Sequence, residues 1–159
     1  MNFQQLANKL AWSLFFLLVA ALAISSILVS EGTGISAFVM SLLNPLFAGK
    51  SVIFFYAVLL FFAIAITCFS NNVVTGMLML TFLYMFSTQN AVNLIGMEFL
   101  ISIAVIMAFL TPSASIPGAM IYDSEWMDTK DILKYTFVAE VYIYLTLCVI
   151  GIPLISLVF

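Results

Sequence analysis

From Ser51 to Met97 the chain carries no charged side chain. That is more than two membrane crossings at about 20 apolar residues each. Elsewhere the pattern hardly relaxes. Of 159 residues, 65% are hydrophobic and only 7% are charged, against roughly a quarter charged in a soluble domain. Too few polar side chains remain to clothe a surface in water, so lipid must cover it. The sequence therefore predicts an all-α integral membrane protein.

The same composition excludes several function classes. Four cations, all lysine, and no histidine leave no basic cluster for nucleic acid. They also leave no bidentate guanidinium clamp for anions and no imidazole for proton transfer or metal binding. There is no HExxH, no Ser/His pair and no pair of intramembrane aspartates, so no enzyme is expected. Cys68 and Cys148 lie in apolar runs without charged neighbours. They read as small buried hydrophobes and not as a disulfide or reactive thiols.

Along the chain, Leu10 to Ser30 is uncharged and longer than a signal-peptide core, and Glu31-Gly32-Thr33-Gly34 lacks a small-residue cleavage pattern. It is expected to be a retained span. Ile35 to Phe47, broken at Asn44-Pro45, is too short to cross and suits the interface. Next come an apolar arm from Val52 to Phe69, a polar interruption at Ser70-Asn71-Asn72, and a second arm from Val73 to Phe86. The second arm spans roughly 21 Å as a helix, short of a full crossing. Together the arms predict a re-entrant helical hairpin, whose tip is tolerated inside the membrane only where protein or water surrounds it. An ordinary loop between two full spans is the alternative.

Ala91 to Leu110 reads as a helix running into Thr111-Pro112-Ser113-Ala114-Ser115-Ile116-Pro117-Gly118. Proline lacks the amide hydrogen and clashes with the preceding turn, so the helix must unwind here and free carbonyl groups. A simple proline kink, or a loop between a span and a surface segment, is the alternative. Asp123 to Lys134 reads as a surface loop or amphipathic turn, and Tyr135 to Phe159 as the last span. The predicted organisation is a scaffold-like part (1–50), a hairpin and broken helix that would carry transport (51–122), and a loop with the last span (123–159). Lysines favour the cytoplasmic side. Lys9, Lys130 and Lys134 all fall on one face, with Trp12 and Trp126 at the same level, which puts the C-terminus outside. Lys50 is left on the outer face.

Two polar breaks in apolar sequence point to chemistry. Secondary transporters build sites from discontinuous helices, whose N-termini face anions and whose unwound carbonyls hold Na⁺. Without arginine, an anion would be met by the amides of Val73 and Val74 with Ser and Asn side chains. Both breaks are expected near the midplane. Glu98 then stands roughly 20 Å of helix before Thr111, at the outer interface. Glu140 is read as reaching an interface, not as a proton carrier.

The segments "CFSNNVVTGML" and "FLTPSASIPGAMIYDSEWMDTKD" resemble the C-terminal half of the divalent anion:sodium symporter family, within the ion transporter superfamily. The likeness runs from about Trp12 to the end. It implies one inverted-repeat half, with sodium-coupled uptake of a di- or tricarboxylate or sulfate-type anion by elevator-like movement. Ser70 and Asn71 match the first two residues of a Ser-Asn-Thr tip. Asn72 replaces the threonine, with Thr75 close by. Ala114, Ser115 and Pro117 match loop positions that line the sodium and substrate sites. The resemblance thus implies substrate contacts from Ser70, Asn71, Asn72, Thr75, Ser115 and Pro117, and a Na⁺ site of Phe69, Asn71, Ala114, Ser115 and Pro117. Ile116 and Gly118 stand where proline and asparagine are common, as in an asparagine-pair branch. The family has two repeats and this chain shows one. It is therefore expected to work beside an N-terminal half or another copy, as a multi-pass protein of the plasma membrane. The alternatives are an accessory or remnant subunit without transport, or a sodium/proton antiporter-like relative.

Overall fold

The computed structural model describes residues 12–47, 49–87, 91–112, 114–123 and 127–158, and among them every regular element is helical. Helix α1 (Trp12–Val29) closes on a 3₁₀ turn at Glu31–Thr33. There the Thr33 hydroxyl donates to the carbonyls of Ile27 and Ser30 at 3.1 and 2.8 Å, satisfying groups that a helix end leaves open. Gly34 takes a φ of 67°, a conformation that a Cβ would strain, and the chain turns into α2 (Ile35–Phe47). The break expected at Asn44-Pro45 does not occur. Pro45 lies in the last turn, where its ring fixes a helical φ and only the bond to the Ser41 carbonyl is lost.

Helices α3 (Val52–Thr67) and α4 (Asn72–Ser87) form the hairpin. Ser51 caps α3 by accepting from the Phe54 amide at 3.3 Å. Each arm has 16 residues, roughly 24 Å of helix, short of a hydrocarbon core of about 30 Å.

Helix α5 (Leu94–Ile106) is shorter at both ends than the expected Ala91 to Leu110. Asn93 fixes its start, accepting from the Gly96 amide at 3.0 Å. Its end precedes Pro112 by more than a turn. In a continued helix the Phe109 amide would donate to Val105, but it donates to Glu140 Oε1 at 2.6 Å instead.

After α6 (Ile116–Tyr122), helix α7 (Thr129–Thr146) passes through a π turn at Leu147–Gly151 into α8 (Ile152–Val158). Lys130, Asp131 and Lys134, expected in a loop or amphipathic turn, lie in the first turns of α7. The π turn has a local cause. Pro153 offers no amide and crowds the Val149 carbonyl, and the Ile152 amide reaches back to Leu147 instead.

Among the described residues one helix is long and apolar enough to cross a membrane, the 30 residues Thr129–Val158. Only 22% of its crossing window is buried within the chain, unlike the core helix of a soluble protein. Helix α5 occupies the centre, against α3, α4 and the long helix, while α1 lies on α4. Leu60, Ala63, Leu83, Met97, Ile101 and Ala104 form the interior, each 0% exposed. Small residues bring α5 close to the long helix. A Cβ on Gly96 would stand 2.7 Å from Ile155 Cβ, and one on Gly151 2.9 Å from Leu100 Cδ2. At the hairpin base Phe55 stacks on Phe86 with centroids 3.7 Å apart, and Phe47 of α2 meets both edge-on.

Candidate functional site

The hairpin tip and the unwound segment after α5 meet. Helix α3 tightens as it ends, with the Phe69 and Ser70 amides donating to the carbonyls of Ile66 and Thr67 at 3.1 and 3.2 Å. Asn71 then caps α4, its Oδ1 accepting from the Val73 amide at 2.8 Å and its carbonyl from Thr75 at 3.0 Å. Opposite, the Thr111 hydroxyl donates to the Cys68 carbonyl. This bond ties the first break to the second.

The unwound segment is held by side chains from elsewhere, as buried backbone outside a helix requires. Besides Glu140 on the Phe109 amide, the Tyr122 hydroxyl donates to the Leu110 carbonyl at 2.6 Å. The Thr111 carbonyl accepts from the Ala114 amide at 3.1 Å and lies 2.9 Å from where a Cβ on Gly118 would sit. Glycine is required at that close approach. Ser115 caps α6, its hydroxyl accepting from the Gly118 amide at 3.2 Å.

The long helix serves as a ruler for these contacts. Asn93 Nδ2 donates to the Ile155 carbonyl at 2.9 Å, and the Tyr144 hydroxyl to Ala57 at 3.4 Å. Glu140 meets Phe109, and Phe69 and Thr111 share a cavity wall with Phe137 and Lys134. From Ile155 to Glu140 is roughly 22 Å of helix, and from Ile155 to Lys134 roughly 31 Å. Both breaks therefore sit toward the lysine end of the long helix and not at its centre. Helix α5 continues for only roughly 12 Å beyond Glu98, so the backbone from Met107 to Thr111 is not part of it.

Four buried side-chain atoms have no hydrogen-bond partner among the described residues: Thr67 Oγ1, Asn72 Oδ1, Thr75 Oγ1 and Glu140 Oε2. The first three belong to the turns on either side of the tip. Thr67 and Thr75 are both 0% exposed. Buried polar atoms are nearly always paired, so a cluster of orphans marks a place for water, an ion or a ligand.

The expected residues fare differently. Asn72 and Thr75 present orphaned oxygens. Ser70 is half-buried and Asn71 exposed. The Val73 amide, expected to face an anion, is occupied by Asn71. Ala114 is buried, and Ser115 spends its hydroxyl on its own helix. Pro117 begins α6, and its side chain lies outside the described residues. Phe69 is 75% exposed and borders a cavity of about 330 Å³ with Cys68, Leu110, Glu140 and Tyr144. No hydrogen bond joins Ser70, Asn71 or Thr75 to Ser115 among the described residues. The link runs through Cys68 and Thr111 instead.

Glu140 is the residue that sequence reasoning misplaced. It is buried, 5% exposed, and braces the broken helix instead of reaching an interface. One signal was available: no lysine stands one turn from it in either direction on its helix. Among the described residues no three His, Cys, Asp or Glu side chains converge. No family model matches the chain, and neither a curated protein nor a solved structure matches it. What this place can do follows from its own atoms: hydroxyl and amide oxygens suited to a hard cation, beside the N-terminus of α4, which favours negative charge.

Proposed function

We propose that the chain is one half of a secondary active transporter that couples sodium to uptake of a small anion of the di- or tricarboxylate or sulfate type. It works in the membrane as a multi-pass subunit beside an N-terminal half or another copy, with the hairpin re-entering from the side opposite the lysines. The observation that carries this reading is the set of orphaned, buried oxygens of Thr67, Asn72 and Thr75 around a hairpin tip tied to an interrupted helix. Both arms, at roughly 24 Å, fall short of a crossing, as a re-entrant pair should. With the lysines on the cytoplasmic side, the tip lies close to that side, where an imported anion would leave.

The test is uptake of labelled succinate, citrate and sulfate into vesicles holding this chain and a complementary half. Uptake should need sodium. Asn72→Ala with Thr75→Ala should lower it about 10-fold or more at unchanged helix content, given about 1–3 kcal/mol per lost contact. Uptake indifferent to sodium would sink the proposal.

One observation favours a second reading, an accessory subunit without a site. Asn71 and Ser115 each spend their side chains on capping. On that reading the double substitution leaves function intact.

A further inference from the structure

Between the hairpin tip and the first turns of α7 lies a cavity of about 500 Å³ that the transport reading leaves unused. Its walls are apolar, formed by Phe69, Leu110, Leu133, Phe137 and Val138, with Thr111 at the hairpin side. Lys130 and Lys134 also line it. They stand one turn apart on α7, so both ammonium groups serve the same face. Neither forms an ion pair among the described residues. Asp128 and Asp131 share this end of the helix, but neither lines the cavity.

Depth narrows the occupant. Lys134 stands roughly 31 Å of helix from Ile155, which is one hydrocarbon core of about 30 Å. The lysines therefore mark an interface, and the apolar walls extend from it toward the acyl region. A soluble dianion could meet both lysines, but it would leave the apolar walls of Leu133, Phe137 and Val138 uncovered. A molecule with one anionic head and an apolar tail satisfies both ends.

We infer that this cavity binds an anionic phospholipid, its phosphate between Lys130 and Lys134 and an acyl chain along Phe69, Phe137 and Val138. Lysines on the cytoplasmic side meet the leaflet richest in anionic lipid. Phe69 belongs to the hairpin tip, so the bound chain touches the element that must move in transport. The inference requires membrane embedding and does not depend on sodium or anion coupling.

Native mass spectrometry of the full chain, from micelles doped equally with phosphatidylglycerol and phosphatidylcholine, tests it. Phosphatidylglycerol adducts should dominate. Lys130→Gln with Lys134→Gln should weaken them roughly 10- to 30-fold, leaving phosphatidylcholine adducts and helix content unchanged. Lys50→Gln should have no effect. Val138→Asp, at a side chain already exposed, should also weaken them by setting charge against the tail. Equal retention of the two lipids, or adducts indifferent to the lysine pair, overturns the inference. Displacement of phosphatidylglycerol by millimolar phosphate or succinate at matched ionic strength also overturns it, in favour of a soluble anion.

Discussion

Glu140 holds the Phe109 amide across 31 residues of sequence, and that bond supplies the acceptor that the unwound backbone no longer finds in its own helix. Replacing Glu140 with Ala strands a buried amide and should cost about 1–3 kcal/mol. Glu140→Gln keeps an acceptor oxygen and should recover most of that loss. Thermal unfolding in detergent separates the two, and equal losses would show that the hydrogen bond is not what Glu140 contributes. Asn72 stood out in the sequence as part of the polar break, whereas Thr75 was named only through the family resemblance. Glu140 was not legible, because a carboxylate near the start of an apolar helix reads as interfacial until its distant partner is seen. Tyr122, which holds Leu110, carried no local signal at all.

Helix ends divide along the same line. The caps at Ser51, Asn93 and Ser115 are short-range chemistry that flanking residues announce. Proline is ambiguous, and three of them show why. Pro45 lets a helix pass because it sits in the last turn. Pro153 widens one into a π turn. Pro112 follows a helix already diverted by Glu140. The packing of α5 on the long helix depends on a smaller feature, the missing side chain at Gly96 beside Ile155. Gly96→Leu should force the two helices apart and cost about 1–3 kcal/mol. Faster amide exchange at Leu94 to Leu100 in the variant, with the tip unchanged, is the expected signature. Unaltered exchange would mean the contact is not made.

For the whole molecule, an all-helical chain clothed in apolar side chains was legible from composition, and the hairpin from its polar interruption. The packing order was not, since α3, α4 and α5 are apolar on every side and periodicity cannot say which face turns inward. The register of the tip depended on contacts such as Asn93 with Ile155, 62 positions apart. That register makes a directional prediction. In a chain lacking Cys68 and Cys148, Asn71→Cys should react with an impermeant maleimide from the side that labels Lys134→Cys. Labelling only from the side of Lys50→Cys would reverse the hairpin. The unbroken helix has one more consequence. From Tyr135 to Val158 it offers roughly 36 Å of apolar length, while the arms bonded beside it offer roughly 24 Å. No single lipid thickness matches both. A thin bilayer relieves the arms and drives the long helix to tilt, and a thick one does the opposite. With the chain embedded as proposed, the balance between those two mismatches makes acyl-chain length a mechanical input to the fold.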